Sequence, residues 1–323
     1  MSEAIKQPKK KMSFSQKISS YGTIFAGIAL IIIFSILSPD SFATVDNAIN
    51  ITRQISFLVI IAIGATLVMS VQEFDLSIGA MASLGGVIAA KLSILGVPIF
   101  ISMLVPVIIG FIIGLISGAI VTHFRVLSFV TTLAMGTVIG GFTFWLTGGS
   151  TVFENIPESF KFIGQTNIFM IPLLSIIMII LVIIFWYVMT HMTLGRRFYA
   201  IGGNEKASEV SGVNINAYKT IAFAFCGMLS AFTGALLASR LGSAHPTGGE
   251  AYFLNAYAAV FLGMTVVRSG VSNIIGTLFG AAILGILANG LTILQVPSFM
   301  QDVITGLIII AALIFQKIGR EGK

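Results

Sequence analysis

Charge is what this sequence has least of. Its 323 residues include 18 Lys and Arg and 12 Asp and Glu, 9% in all, where an ordinary soluble domain has about 25%. A soluble chain of that length needs more charge than this to stay in water. Cysteine is rarer: Cys226 stands alone, which excludes an internal disulfide and leaves the redox compartment unread. No Gly-x-x-x-x-Gly-Lys-Ser/Thr phosphate loop occurs, so ATP hydrolysis of that kind needs another chain. His, Asp, Glu and Cys form no cluster suited to a metal or to an acid–base enzyme within the membrane. What is plentiful is apolar bulk. Hydrophobic residues make up 56%, and the 34 glycines bring the apolar share to roughly two-thirds. Mean hydropathy is +1.02. A soluble enzyme and a disordered chain are excluded, and a polytopic membrane protein is left.

A helix crosses the hydrocarbon core of about 30 Å with about 20 mostly apolar residues. Such runs fall at 20–38, 54–71, 77–95, 99–121, 126–146, 170–190, 218–240, 252–267, 272–291 and 299–316. They predict an all-α fold of about ten transmembrane helices, least securely in the small-residue-rich 77–95 and 252–291. Continuous runs such as Leu173 to Val188 exclude the alternating strands of a β-barrel. Five lysines from Lys6 to Lys17 precede the first run, as in a signal peptide. No small-residue cleavage site follows before Pro39, so the segment reads as a retained first helix. With the N-terminus inside and the spans alternating, 14 of the 18 basic residues fall inside; only Arg53, Lys91, Lys161 and Arg240 fall outside. That asymmetry predicts both termini in the cytoplasm. It also accounts for the pI near 9.5 without nucleic acid, because the basic residues are scattered rather than gathered in one patch. The expected organisation is a basic N-terminus at 1–19, one transmembrane domain at 20–316 with an inner loop at 191–217, and a C-terminus at 317–323.

The sequence resembles itself at a spacing of about 166 to 170 residues. Gly110, Gly114 and Gly118 are nearly repeated by Gly276, Gly280 and Gly285, Leu127-Ser128-Phe129 by Pro297-Ser298-Phe299, and Gly136 by Gly306. An odd number of spans separates the copies, so they would insert in opposite orientations, the inverted repeat that transporters use. Glycines four apart also serve close helix packing, and that alternative stands. No Asp, Glu, Lys or Arg falls in the middle of a predicted span, and His123, His191 and His245 lie at span ends. A charge in mid-membrane costs at least about 2.5–3.5 kcal/mol and is kept where it works, so ion coupling is not expected. The polar groups inside spans are neutral: Thr131, Thr132, Thr137, Thr143, Ser230, Asn289 and Thr305. They suit a neutral hydroxyl-bearing solute or hydrogen bonds between helices. A solute path is expected to draw on Asp75, Ser77, Thr131, Thr132, Asn255 and Asn289. Asp75 reads as the N-cap of a helix from Ser77 onward or as a functional contact.

The inner loop 191–217 is the most informative segment. Asn204 is a good N-cap, Glu205 suits a first turn and Gly212 a helix end, which predicts a helix of about two turns between them. Asn214 or Asn216 would cap the next span. A short capped helix projecting from the membrane suits docking; a plain solvated loop is the alternative. The run Gly195 to Val213 resembles the cytoplasmic coupling loop of ribose-type ABC sugar permeases, the membrane subunits of bacterial monosaccharide importers. Phe74-Asp75-Leu76-Ser77-Ile78-Gly79 is similar to that family's Ile-Asp-Leu-Ser-Val-Gly segment. Ser239 to Ala244 with Pro246, and Asn289-Gly290-Leu291 followed by Val296, resemble two further segments. The resemblance runs from about residue 40 to 316.

It implies a ten-helix importer fold with inverted repeats in the bacterial cytoplasmic membrane. The implied partners are a second permease (the same chain or a similar paralogue), a separate ABC ATPase and an extracytoplasmic sugar-binding protein. ATP and magnesium would sit on the ATPase; no catalytic residue, cofactor or metal is implied on this chain. The implied coupling residues are Gly195, Arg196, Arg197, Tyr199, Ala200, Gly202, Asn204, Glu205, Ala207 and Gly212. In two places the chain departs from the family. Gln72-Glu73 stands where a Gly-Gly pair is usual, and Leu262 to Gly270 lacks the usual Gly-Gly-x-x-x-x-Gly-Gly. The solute is thereby left open among pentoses, hexoses, polyols and sugar-like autoinducers. A stand-alone facilitator or channel for a small neutral solute, and a scaffold or receptor without transport, are the alternatives.

Overall fold

The structure, a computed structural model, describes residues 14–266 and 270–321. Most of the 1–19 segment with Lys6, Lys9, Lys10 and Lys11, together with Arg268 and Lys323, lies outside the described residues. The helices, in chain order, are α1 (Phe14–Leu37), α2 (Pro39–Phe42), α3 (Val45–Ser70), α4 (Ile78–Ile94), α5 (Ile99–Phe124), α6 (Ser128–Thr147) and α7 (Glu158–Gln165). After them come α8 (Leu173–His191), α9 (Thr193–Gly203), α10 (Glu205–Val210), α11 (Ile215–Leu241), α12 (Glu250–Gly263), α13 (Ile274–Ile293) and α14 (Ser298–Glu321). One short hairpin pairs Asn167–Ile168 with Ile171–Pro172. Six described helices, α3, α5, α6, α8, α11 and α13, are long and apolar enough to cross a membrane, and the chain is a multi-pass membrane protein. The other predicted spans fall on α1, α4, α12 and α14. Of these α4 has 17 residues and α12 has 14, fewer than the roughly 20 of a full crossing.

Burial sorts the long helices into a centre and a periphery. In their most apolar stretches α3 is 78% and α11 72% buried, against 28% for α5 and 17% for α6. Helices α5, α4 and α3 pack around α11, and α12 and α13 close the other side of α3. The peripheral helices reverse the order familiar from water-soluble proteins. On α5 the buried residues include Gly110, Gly114, Ser117 and Gly118, whereas Ile108, Ile112 and Ile116 are exposed. Lipid tails solvate isoleucine as well as a protein interior does, so close backbone approach decides which side faces in. A Cβ on Gly110 would overlap the Gly227 carbonyl, and one on Gly114 the Phe223 carbonyl. Gly276 and Gly280 meet the carbonyls of Gly263 and Ala259 in the same manner. Both glycine sets of the sequence repeat therefore line tight helix contacts.

At the end predicted to lie outside, α7 is clasped to the end of α11. Ser239 Oγ accepts from Gly164 N at 2.9 Å and donates to Phe160 O at 2.6 Å. Two features of the opposite end define the candidate site. Helices α3 and α4 are joined by a non-helical turn at 71–77, and α9 and α10 lie between α8 and α11.

Candidate functional site

The 191–217 loop contains more helix than its sequence suggests. Three glycines among eleven residues conceal α9, which buries Gly195, Phe198 and Ile201, one residue per turn on one side. A Cβ at Gly195 would overlap the Met189 backbone, and one at Gly202 the Ser70 carbonyl. The loop is thus seated on the C-terminal ends of α8 and α3. Asn204 Oδ1 then accepts from Ala207 N at 3.0 Å and opens α10. Gly212 ends that excursion at φ +81°, the left-handed region that glycine enters without strain. Asn214, not Asn216, caps α11, accepting from Ala217 N at 3.1 Å. From Asn204 to Gly212 only Ser208 is buried, so Glu205 and Ala207 face solvent. Val210 is 91% exposed, an apolar side chain held out in water. It was missed in the sequence, where it is one valine between charged and polar neighbours.

The arginines of α9 are turned toward the protein. Arg196 donates to the His191 carbonyl at 2.8 Å. Arg197 donates to the Tyr218 hydroxyl, and its guanidinium stands 5.0 Å from that ring's centroid, a cation–π contact. Ala200 is exposed. Tyr199 and Gly202, with Met69, Ser70 and Gln72, border a cavity of about 400 Å³ between the loop and the end of α3.

Above this cavity lies the 71–77 turn. Gln72, where the resemblance implied a glycine, takes φ +62°. After it the backbone runs non-helically through a buried region, and each amide needs a partner there. Side chains provide four in succession. Phe74 N donates to Ser128 Oγ at 3.3 Å, and Asp75 N to the Tyr257 hydroxyl at 2.7 Å. Leu76 N donates to Thr132 Oγ1 at 2.9 Å, and Ser77 N to Asp75 Oδ1 at 2.9 Å. Asp75 Oδ1 also accepts from Ser77 Oγ at 2.5 Å, and the carboxylate meets the Cys226 thiol, midway along α11. Asp75 is 1% exposed. Asp75 lies between two predicted spans, as the sequence places it, and the structure adds that the turn carrying it is buried inside the protein.

Asp75, Ser77 and Thr132 are therefore together. Thr131 is buried beside Thr132, and its hydroxyl has no hydrogen-bond partner among the described residues. Asn255 donates to its own helix at Ala251 O, 3.0 Å. Asn289 lies elsewhere, exchanging two 3.0 Å amide bonds with Asn47 of α3. Turn and loop are joined by Lys219, which donates to Glu73 Oε1 at 2.7 Å and to Glu205 Oε2 at 2.9 Å.

A sequence-family model described as branched-chain amino acid transport system / permease component matches residues 47–313. The chain is 40% identical to the ribose import permease protein of Haemophilus influenzae, over 90% of this chain and 91% of that protein. It is 37% identical to the ribose import permease protein of Bacillus subtilis, over 98% of both. It is 32% identical to the D-allose transport system permease protein of Escherichia coli, over 96% of this chain and 95% of that protein.

Proposed function

The chain belongs to the family of branched-chain amino acid transport system permease components, and from that premise we propose that it is the membrane subunit of an ATP-driven importer of a ribose-type monosaccharide. The observation that carries the solute class is the likeness, along 90% of the chain or more, to permeases named for ribose and D-allose. The family description names another solute, but those relatives match nearly end to end.

The proposed fold has ten membrane helices, with α5–α6 and α13–α14 as inverted copies and both termini in the bacterial cytoplasm. That α6 and α14 both open on a serine, Ser128 and Ser298, supports the repeat. A separate ABC ATPase, holding ATP and magnesium, docks on α9–α10. An extracytoplasmic sugar-binding protein delivers the solute, and a second permease, the same chain or a paralogue, completes the path. The capped, outstanding α10 on its glycine-seated base supports the ATPase seat. Solute selection rests on shape and hydroxyl contacts, as suits a neutral sugar. Among the path residues, Thr131 has a buried hydroxyl with a bond to offer.

Proteoliposomes holding this chain, its ATPase and its binding protein are expected to accumulate labelled ribose only when ATP is supplied on the ATPase side. Flux through this chain alone would identify a facilitator instead. Partner binding without any flux would identify a scaffold.

A further inference from the structure

Glu73, Lys219 and Glu205 come from three parts of the chain: the α3–α4 turn, the start of α11 and the first residue of α10. Among the described residues, the only other ion pair is the surface Lys161–Glu158. The side chains of Lys219, Glu73 and Glu205 are 11%, 17% and 53% exposed, so the cluster runs from a sheltered interior out to the projecting helix. Its inner arm is shielded from the salt that weakens surface pairs. Glu73 stands two residues before Asp75, in a turn without a helical hydrogen-bond ladder. Beyond Glu73 that turn is held by Ser128 and Thr132 of α6 and by Tyr257 of α12. The cavity of about 400 Å³ next to Ser70, Gln72 and Gly202 leaves space between turn and loop. A segment fastened by rotatable side chains, with free volume beside it, is the sort of element that adopts two discrete arrangements, and transmission between sites requires one.

We propose that Glu73 is a positioning residue for transport: through Lys219 it ties the buried Asp75 turn to α10, so that a displacement of α10 from the inner side is carried to the turn within the membrane. This rests on the ATPase seat argued above. The link is a feature of this chain's Gln72-Glu73, since a Gly-Gly pair has no side chain to form it.

The test uses the full complex of permease, ATPase and binding protein in proteoliposomes, reading sugar imported per ATP hydrolysed. Glu73→Gln is expected to lower that ratio about fivefold or more, the lower end of measured site-to-site coupling, with the ATPase still bound and still hydrolysing ATP. Lys219→Met cuts both arms and is expected to lower the ratio at least as far. A merely structural ion pair would reduce the melting temperature and leave the ratio at the wild-type value. A wild-type ratio in Glu73→Gln overturns the proposal; where Glu73→Gln fails to assemble, a wild-type ratio in Lys219→Met does so. Loss of ATP-dependent uptake in the wild-type complex itself would instead overturn the importer reading on which the proposal rests.

Discussion

Phe74, Asp75, Leu76 and Ser77 depend on hydroxyl and carboxylate side chains for every backbone donor they carry. Removing one such acceptor leaves a buried N–H unpaired, at about 1–3 kcal/mol. Asp75→Ala strips the acceptor from both the Ser77 amide and the Ser77 hydroxyl. It should lower the melting temperature of the detergent-purified chain more than Asp75→Asn, which keeps an acceptor oxygen. Gly202→Ala acts at the other side of the cavity. Its Cβ would drive into the Ser70 carbonyl, an overpacking cost of about 1–3 kcal/mol, so ATP-driven uptake and ATPase co-purification should fall together. The sequence makes the Asp-x-Ser turn legible, since both side chains act within three residues. It does not reveal depth. The partners Tyr257 and Ser128 lie 182 and 54 positions away, and no local pattern links them to the turn.

At the level of whole elements, the long apolar helices and the caps at Asn204 and Asn214 follow from local rules. Helix α9 does not, because Gly195, Gly202 and Gly203 each count against helix by intrinsic preference. Close seating on α8 and α3 selects Gly195 and Gly202 and overrides that preference. The same reasoning separates two glycines that look alike in sequence. Gly114 meets the Phe223 carbonyl, whereas nothing lies within 4 Å of a Cβ on Gly140. Gly114→Leu should prevent α5 from closing on α11, giving aggregated protein in size-exclusion chromatography; Gly140→Leu should yield a folded subunit. Helix α10 invites an element-scale test of docking. Val210→Asp leaves packing intact, since Val210 is 91% exposed, and should weaken ATPase binding roughly tenfold, or about 1.4 kcal/mol, in a pull-down titration.

Across the whole molecule, sorted basic residues predict the orientation, and that prediction is testable with the chain's own chemistry. Cys226, the single cysteine, is fully buried, so the native protein should resist membrane-impermeant maleimides on both sides. Phe169→Cys, at a fully exposed position predicted to lie outside, should be labelled on intact cells. Val210→Cys should be labelled only in inside-out vesicles. The reverse pattern would invert the topology. Composition and charge make the membrane-spanning character legible and predict an orientation, but not which helices form the centre. That depends on where small residues align between helices, which is a property of pairs of segments. One consequence concerns tolerance to change. With isoleucines on the exposed side of α5 and glycines on its buried side, the large residues are the interchangeable ones and the smallest are fixed. Saturation mutagenesis of this protein should therefore give a map inverted from that of a water-soluble enzyme: bulky apolar positions drifting freely among Ile, Leu, Val and Phe, and the least conspicuous residues admitting no substitute.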